Sequence, residues 1–426
     1  MDEFHYQNGA LHAEGLPVEQ IAEQFGTPTY VYSAATLMGH WRRLAEAFAP
    51  ADPVICYSVK SCQNLNILRL FAAAGSGFDI VSGGELYRAL RAGGNASRMV
   101  YAGVGKTDPE IHQAIDAGIA LFNIESEAEL ANLCALAGGR KQRVDAALRV
   151  NPDVEREGHA YTTTGKKGTK FGVDIDRAAE VFERFGRDEH VRLRGVHLHI
   201  GSPVNSTEPY VEAITKALAL IETLRRRGLT IDVLNIGGGF GADYTGGEAP
   251  MARDYAAAIL PLLEGQGLRL FLEPGRSIAA NGAILLTRVL FIKESGPKRF
   301  VIVDAAMNDL IRPALYGAYH FIWPVKPGEG MVPRGRAAAQ PLEGLHSADV
   351  VGPICESGDF FAKDRPLPPV KRGDLVAVFT VGAYCFVMSN NFNSRPRAAE
   401  VLVEGEAPRL IRRRETYEDL VAAEDL

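Results

Sequence analysis

The sequence predicts an α/β protein, in which a (β/α)8 TIM-like barrel is joined to a second, predominantly β C-terminal domain. The first observation is a rhythm between residues 54 and 272, where apolar runs of strand length end in turn residues and are followed by segments with helical periodicity. The second is the number of repeats, because about eight βα units in roughly 220–250 residues match the size of one barrel. The third is that this rhythm stops after Glu273.

The predicted barrel strands are short and apolar, as expected for parallel strands that are buried on both faces. They cover residues 54–57, 78–81, 99–101, 121–124, 146–150, 195–200, 233–236 and 268–272. We expect the barrel domain to span residues 27–280. The β domain is expected to cover residues 281–426, together with about the first 26 residues, and its predicted strands are 283–292, 300–304, 349–352, 375–381 and 401–403.

Composition and charge exclude several classes of protein. The chain has 426 residues, of which 46% are hydrophobic and 23% charged, and its formal net charge is −6. Because no basic cluster stands out, we expect neither a nucleic-acid nor a membrane partner. The five cysteines are irregularly spaced and predict no disulfide framework. No signal peptide and no apolar run near the ~18 residues of a membrane span is visible, so a cytoplasmic protein is expected.

One stretch, Pro53-Val-Ile-Cys-Tyr-Ser-Val-Lys60, is the centre of the functional hypothesis. An apolar strand runs directly into a lysine, which therefore lies at the carboxyl end of a barrel strand. Barrel enzymes carry their catalytic groups at that end. Because burial disfavours the charged ammonium, a lysine there can react as a neutral amine with a carbonyl. We therefore predict that Lys60 forms a Schiff base with pyridoxal 5'-phosphate (PLP); the alternative is a surface lysine that opens a helix.

Other polar groups follow the remaining predicted strands. Asp79 lies at the second strand, His197-Leu-His199 at the sixth, Gly237–Gly239 at the seventh and Glu273-Pro-Gly-Arg276 at the eighth. The loops after strands seven and eight of such barrels commonly bind phosphate. Each residue alone has an ordinary structural explanation, such as a helix cap, an ion pair or, for either histidine, a core position. Together they supply the anion site, lysine and charged ring partner that PLP needs.

Two glycine-rich segments resemble nucleotide-binding motifs but lack essential parts of them. Gly103-Val-Gly-Lys-Thr107 has Val100 where a P-loop requires its first glycine. Gly237-Gly-Gly-Phe-Gly-Ala242 lies in the seventh βα unit rather than the first, and no acidic residue follows about 20 positions later as in a dinucleotide-binding fold. Neither segment therefore predicts a nucleotide site.

Longer motifs carry a family resemblance that spans the chain from about Gly26 to Val403. They resemble the barrel-type, fold-type III PLP-dependent decarboxylases of basic amino acids, and within these the diaminopimelate decarboxylase branch. The general motifs are Tyr57-Ser-Val-Lys60, Phe78-Asp-Ile-Val-Ser-Gly-Gly-Glu85, His199-Ile-Gly-Ser202, Glu273-Pro-Gly-Arg276, Gly352-Pro-Ile-Cys-Glu-Ser-Gly-Asp359 and Gly382-Ala-Tyr384. Those of the branch are Lys167-Gly-Thr-Lys-Phe-Gly172, Arg312-Pro-Ala-Leu-Tyr316 and Asn393-Ser-Arg-Pro-Arg-Ala-Ala-Glu400.

The resemblance implies a role for each matching residue, in an alanine racemase-like architecture. Lys60 holds PLP, with Asp79 beside the lysine, His199 stacked on the ring and Glu273 paired with the ring nitrogen. The phosphate contacts Ser202, Gly238, Gly239, Gly275, Arg276 and Tyr384. The substrate contacts Arg276, Arg312, Tyr316, Glu356 and Tyr384, and Cys355 donates a proton to the carbanion. No metal is implied.

The implied reaction is PLP-dependent decarboxylation of meso-2,6-diaminopimelate to L-lysine and CO2, the last step of lysine biosynthesis. The resemblance also implies a homodimer in which Cys355 and Glu356 come from the partner subunit. Three alternatives remain open at this point. One is a related decarboxylase of another basic or D-amino acid, such as ornithine, arginine or carboxynorspermidine. Another is a non-catalytic regulator that binds PLP or a partner. The third is a PLP-free barrel that acts on a phosphorylated sugar.

Overall fold

The computed structural model describes residues 2–154, 169–247 and 249–425. The chain divides into two compact units. The barrel unit consists of Trp41–Gly241 and Ala249–Ser277, and the β unit consists of Met1–His40, Ala242–Glu248 and Ile278–Leu426. No helix among the described residues is long and apolar enough to cross a membrane.

The strands, in chain order, are β1 (Phe4–Gln7), β2 (Ala10–Ala13), β3 (Leu16–Pro17), β4 (Thr29–Ser33), β5 (Val54–Ser58), β6 (Gly77–Ile80), β7 (Met99–Tyr101), β8 (Leu121–Ile124), β9 (Val144–Asn151), β10 (Val173–Asp174), β11 (Val191–His197), β12 (Val233–Asn235), β13 (Arg269–Leu272), β14 (Ala283–Ser295), β15 (Lys298–Val303), β16 (Ile322–Pro324), β17 (His346–Val351), β18 (Phe360–Leu367), β19 (Leu375–Phe379), β20 (Ala399–Glu404) and β21 (Ala407–Arg412).

The α-helices are α1 (Val18–Phe25), α2 (Ala34–Phe48), α3 (Leu65–Ala73), α4 (Gly83–Arg91), α5 (Asp108–Ala117), α6 (Glu127–Gly139), α7 (Ile175–Phe185), α8 (Glu208–Arg226), α9 (Ala252–Leu263), α10 (Arg276–Ala279), α11 (Arg312–Tyr316) and α12 (Tyr417–Val421).

Eight parallel strands close the predicted barrel, which confirms the fold class. The order is β5-β6-β7-β8-β9-β11-β12-β13, and β13 returns to pair with β5 in the register Phe271↔Val54 and Leu272↔Ile55. Buried apolar side chains from these strands form one cluster, namely Val54, Cys56, Val100, Leu121, Ala147, Val233 and Phe271. Because all eight strands are parallel, their carboxyl ends lie at one end of the barrel.

Three helices of the barrel begin at side-chain caps that follow a common pattern. Ser82, Thr107 and Ser126 precede α4, α5 and α6, and each is followed three residues later by a glutamate. The Ser82 and Ser126 hydroxyls accept the backbone N–H of Glu85 and Glu129. A cap of this kind satisfies N–H groups that have no partner within the helix. It therefore fixes where each helix starts above its barrel strand.

The β unit contains a larger sheet with the order β18-β17-β15-β14-β4-β20-β21. Strand β19 also pairs with β14, and β16 pairs with β19. A small antiparallel sheet, β1-β2-β3, precedes it in the chain. Strand β4 pairs antiparallel with β14 and parallel with β20. The expected barrel domain began at residue 27, but β4 belongs to this sheet and the barrel unit starts at Trp41. The pairing partners of β4 are remote in sequence, which explains the difference.

Candidate active site

Lys60 lies just beyond the carboxyl end of β5, in a single 3-10 turn over Val59–Ser61. Its Nζ forms an ion pair with Asp79 and lies 3.2 Å from the Ser58 hydroxyl. The Lys60 side chain is 33% exposed, whereas that of Asp79 is fully buried. The amine therefore stands at the open end of the barrel, paired with a buried carboxylate.

The carboxylate of Asp79 is held asymmetrically. Its Oδ2 accepts hydrogen bonds from the Ser58 hydroxyl and from Lys60, while Oδ1 is buried and has no hydrogen-bond partner among the described residues. Burial raises the pKa of Asp79, and Lys60 offsets that rise only in part. Such a carboxylate binds the lysine ammonium strongly, and it would destabilise the fold if it were buried and ionised without that partner.

Glu273 follows β13 and is surrounded by polar side chains from three other strands. Its Oε1 accepts Nδ2 of Asn123 at 2.8 Å and Nδ2 of Asn235 at 2.6 Å. Its Oε2 lies 3.3 Å from Nε2 of His197. Burial alone would raise the pKa of Glu273, but His197 and then Lys60 outweigh this effect and hold the pKa below its usual range. The carboxylate is therefore ionised at neutral pH although it is only 4% exposed.

Both histidines of the sixth strand lie beside site residues. Strand β11 ends at His197, and His199 lies two residues beyond it. Nδ1 of His199 accepts the backbone N–H of Gly238 at 3.3 Å, and its carbonyl accepts Nη2 of Arg149 at 3.4 Å. Desolvation, followed by the charge of Arg149, lowers the pKa of His199 well below its usual value. His199 is therefore a neutral ring at pH 7.

The glycines predicted to approach an anion are closely packed, Gly238 and Gly239 against backbone carbonyls and Gly275 against side chains. A Cβ on Gly238 would lie 2.1 Å from the carbonyl oxygen of Glu273, and one on Gly239 would lie 2.2 Å from that of Gly201. Gly239 also has a φ of +96°, which side chains rarely adopt. A Cβ on Gly275 would lie 2.9 Å from Cβ of Ser58. Glycine is thus required at each position to bring the loops together.

An arginine and a serine complete this edge of the barrel. Nε of Arg276 donates to the hydroxyl of Ser202 at 3.0 Å, and the Arg276 side chain is mostly buried. A guanidinium and a hydroxyl next to glycine-lined backbone suit an anionic ligand, because the arginine is always charged and the glycines allow close approach. The barrel unit therefore brings together Lys60, Asp79, His199, Glu273, Gly238, Gly239, Gly275, Ser202 and Arg276 through the contacts described above.

The β unit holds the other predicted ligand-binding residues. Arg312 is buried at the start of α11, where Nη1 donates to the hydroxyl of Tyr244 at 3.2 Å and lies 3.2 Å from Nε2 of His320. Tyr316 ends the same helix and is partly exposed. Tyr384 has a φ of +58°. A bulky residue in this left-handed region is rare, and such strain is common at functional sites.

Cys355 and Glu356 are both exposed on a loop between β17 and β18. The buried carboxylate of Asp359 shapes that loop by accepting the backbone N–H groups of Ile354 and Met307, each at 2.7 Å. The backbone N–H of Cys355 donates to Oδ1 of Asn393 at 2.8 Å. The segments Gly352–Asp359 and Asn393–Glu400, both identified from sequence, are thus connected in the structure.

Comparison with known proteins adds an independent result. Residues 34–280 match the family described as pyridoxal-dependent decarboxylase, pyridoxal binding domain. The chain is 46% identical to a diaminopimelate decarboxylase of Pseudomonas aeruginosa, over 100% of this chain and 99% of that protein. It is also 46% identical to the Aquifex aeolicus enzyme of the same name, over 98% of this chain and 96% of the relative.

Solved structures agree. The diaminopimelate decarboxylase of Helicobacter pylori complexed with L-lysine is 39% identical, with a TM-score of 0.89 over 96% of this chain and 99% of that one. The M. jannaschii enzyme in co-complex with L-lysine is 36% identical, with a TM-score of 0.92 over 100% of this chain and 98% of that one. The chain belongs to the diaminopimelate decarboxylase family. The resemblance found in its motifs is thereby confirmed.

Several residues of this diaminopimelate decarboxylase family member were not singled out from sequence. Asn123 and Asn235 lie within apolar strand runs, where a single polar residue does not indicate a functional role. Both nevertheless donate to Glu273. Ser58 bridges Asp79 and, at 3.1 Å, the carbonyl oxygen of Glu273. The only signal that could have found them is that a buried polar residue at a strand end requires a partner.

A buried ion pair inside the barrel unit was also missed. Nη1 of Arg149 contacts Oε1 of Glu125 at 2.9 Å, and Oε2 of Glu125 accepts the backbone N–H of Gly172 at 3.0 Å. The Arg149 guanidinium also lies 4.8 Å from the ring centroid of Phe171. These contacts anchor the end of the motif Lys167–Gly172, whose first two residues lie outside the described residues.

The P-loop-like segment has a structural role instead of a nucleotide site. The Lys106 side chain is only 1% exposed. Its Nζ donates to the carbonyl oxygens of Gly103 and Asn123, each at 2.8 Å, and to Oε1 of Glu129 at 2.6 Å. Thr107 forms a capping box with Glu110 at the start of α5. Both residues that suggested phosphate binding therefore bind the protein's own backbone and carboxylates.

Proposed function

We propose that this protein decarboxylates meso-2,6-diaminopimelate to L-lysine and CO2 with PLP as cofactor. The observation that carries the proposal is the pairing, at the carboxyl ends of the barrel strands, of the Lys60 amine with Asp79 and of an ionised Glu273 with neutral amide donors. Relatives named diaminopimelate decarboxylase at 44–46% identity cover the full chain, which supports the substrate assignment.

The residues present fit PLP. The amine of Lys60 can bind an aldehyde covalently, Ser202, Arg276 and the loops at Gly238, Gly239 and Gly275 suit a phosphate, and Glu273 suits a protonated ring nitrogen. When bound, PLP supplies an electron-accepting ring that stabilises a carbanion at the substrate's α-carbon.

The barrel side chains have distinct tasks in this proposal. Glu273, which is ionised and buried, would hold a proton on the ring nitrogen. His199, which is neutral, would contact the cofactor ring without adding charge. Asp79 holds the ammonium form of Lys60 before the amine is engaged, since the two groups already form an ion pair.

The β unit would supply substrate recognition and a proton. Arg312, Tyr316 and Tyr384, together with Arg276, are proposed to bind the carboxylate that is not lost, since the planar arginine fork can contact both of its oxygens. Glu356 would bind the distal ammonium of the substrate. The thiol of Cys355 would donate a proton to the carbon that loses CO2, for which it must be exposed.

We further propose a homodimer in which Cys355 and Glu356 serve the barrel of the partner subunit. Both side chains are exposed in the single chain, which supports this proposal. A group that acts on a substrate in a closed site must be covered, and a partner subunit would cover these two. A cytoplasmic location is also proposed, and the five free cysteines support it.

The experiment is a decarboxylation assay with purified protein, PLP and a panel of meso-diaminopimelate, ornithine, arginine and D-amino acids. We expect CO2 and lysine from meso-diaminopimelate only. Lys60→Ala should abolish release and also abolish covalent labelling when the holoenzyme is treated with borohydride. Lys371→Ala is the matched control, because the Lys371 side chain is 85% exposed. Preference for ornithine or arginine, or cofactor binding without any turnover, would overturn the assignment.

A further inference from the structure

The structure assigns Asn123 and Asn235 as positioning residues that keep Glu273 anionic and aimed at the cofactor ring nitrogen. This inference rests on the proposed function, since it concerns the use of PLP by the same site. Asn235 comes from β12, which is adjacent to the β13 strand that precedes Glu273. Asn123 comes from β8, which is four strands away from β13 in either direction around the barrel. Both amides converge on one carboxylate oxygen, Oε1.

The orientation of the Asn235 amide is determined by a second bond. Its Oδ1 accepts the backbone N–H of Gly237 at 2.9 Å, so its Nδ2 is the end that faces Glu273. Nδ2 can only donate, and therefore Oε1 of Glu273 must accept. The amide therefore opposes a proton on Oε1 of Glu273. Hydrogen bonds donated to a carboxylate favour its ionised form, so the bond to Gly237 supports the anion by fixing the donor end of Asn235 towards it.

The position of Asn123 is fixed by a hydrogen bond to its backbone. Its carbonyl oxygen accepts Nζ of Lys106 at 2.8 Å, and that ammonium is itself bonded to Glu129 and to the carbonyl oxygen of Gly103. Oδ1 of Asn123 lies 3.5 Å from Nδ2 of Asn235, which places the two amides side by side. The two asparagines and the residues that support them all belong to the barrel unit.

Neutral donors suit this position better than an arginine would. An arginine would cancel the charge of Glu273 and leave less negative potential for the ring nitrogen proton. Amide N–H groups favour the ionised carboxylate without adding a positive charge. The titratable side chains that act on Glu273 or are affected by it are His197, His199, Lys60, Asp79 and Cys56.

The test uses the holoenzyme loaded with PLP that carries nitrogen-15 in the ring, without substrate. The nitrogen chemical shift measures directly whether the ring nitrogen is protonated. We expect the protonated value in wild type between pH 6 and 9. In Asn123→Leu and in Asn235→Leu, which remove a donor at similar side-chain volume, we expect the shift to move towards the neutral value as pH rises.

The matched control is Asn308→Leu, which removes a fully buried asparagine in the β unit. It should keep the wild-type shift at every pH. With substrate, kcat of Asn123→Leu should fall about 10- to 100-fold, the loss expected for one hydrogen bond to a charged group, whereas KM should change by only about twofold. A merely structural role would not move the ring-nitrogen signal.

Protonated-type signals in both Asn123→Leu and Asn235→Leu across the pH range would overturn the inference. If the leucine variants do not fold, Asn123→Ala decides the same question, because it adds no apolar bulk against the carboxylate. The nitrogen signal needs no turnover. A wild-type protein that holds PLP on Lys60 but does not decarboxylate meso-diaminopimelate would therefore overturn the proposed function while this inference is still tested.

Discussion

At the residue scale, Glu85 is a barrel carboxyl group whose pKa lies near neutral pH. Burial raises its pKa to about 7, and the charge of Lys60 offsets this rise only in part. Its Oε2 accepts the backbone N–H of Val81 at 2.8 Å, and its side chain belongs to the first turn of α4. In the unfolded chain its pKa returns to about 4.5. Folding and protonation of Glu85 are therefore linked.

We predict that this linkage destabilises the cofactor-free protein as pH rises from about 4.5 to about 7. Over this window the native state binds the proton that the unfolded state has lost, so its contribution to stability falls as pH increases. Glu85→Gln, which cannot ionise, should gain about 2–3 kcal/mol relative to wild type between pH 5 and pH 8.5. Urea unfolding at the two pH values measures this difference.

Glu222→Gln is the control for that experiment, because the Glu222 side chain is 70% exposed. Its difference from wild type should be the same at both pH values. An equally pH-independent difference for Glu85→Gln would show that Glu85 is not protonated in the native state.

At the scale of elements, Lys106 connects the loop after β7 with the end of β8 and with α6. All three of its N–H groups have acceptors, and Glu129 lies at the first turn of α6. A buried ammonium is tolerated only with such complete pairing. The same pairing supports Asn123 and thereby Glu273.

We predict that Lys106→Met lowers the free energy of unfolding by about 3–5 kcal/mol, because it leaves Glu129 buried without its charged partner. The double variant Lys106→Met/Glu129→Gln should recover part of that loss. Lys371→Met, at an exposed position, should change the free energy by less than about 0.5 kcal/mol. Chemical denaturation measures all three, and equal effects of Lys106→Met and Lys371→Met would contradict the structural role.

The loop of Cys355 and Glu356 depends on one glycine. A Cβ on Gly352 would lie 2.5 Å from Oδ2 of Asp359 and 2.7 Å from the carbonyl oxygen of Ala305. The carbonyl oxygen of Ala305 belongs to the backbone and cannot move aside as the end of a flexible side chain could. A side chain at this position must therefore displace the loop.

We predict that Gly352→Ala lowers kcat about 100-fold through misplacement of Cys355, while the holoenzyme still binds PLP. The steady-state rate and the visible absorption of bound cofactor measure the two effects. Gly335→Ala is the control, since a Cβ there meets nothing within 4 Å and should leave the rate unchanged. Loss of cofactor from Gly352→Ala would show that its effect is not confined to the loop.

At the scale of the whole molecule, the chain consists of two units, and the proposed dimer would have each subunit serve its partner. We predict that Lys60→Ala and Cys355→Ala, each inactive alone, regain about one quarter of wild-type activity when they are denatured and refolded together. Random association makes about half of the molecules mixed dimers, and each of these contains one intact site. Activity of the mixture is the measurement.

Unmixed samples of each variant, refolded in the same way, are the controls. No recovery in the mixture, at a mixed-dimer content confirmed by differently tagged chains, would show that Lys60 and Cys355 of the same subunit work together.

The barrel was predictable because its strands are buried on both faces and so appear as continuous apolar runs. The position of Lys60 after the first of them followed directly. Asn123 and Asn235 were not predictable, because their role depends on three strands converging around one carboxylate. The pairing of β4 was also not predictable. Tyr30-Val-Tyr32 is recognisable as a strand, but its sequence does not indicate which strands it pairs with.

The pairing of β4 has a consequence for the synthesis of the chain. Its neighbours β14 and β20 leave the ribosome only after the entire barrel has been translated. At about 5–20 residues per second, β4 waits roughly 20–75 seconds for the last of them. During that interval its hydrogen-bonding edges and its tyrosine and valine side chains are available to other nascent chains. Protection of this segment by a chaperone should therefore matter most between the emergence of residue 33 and that of residue 404.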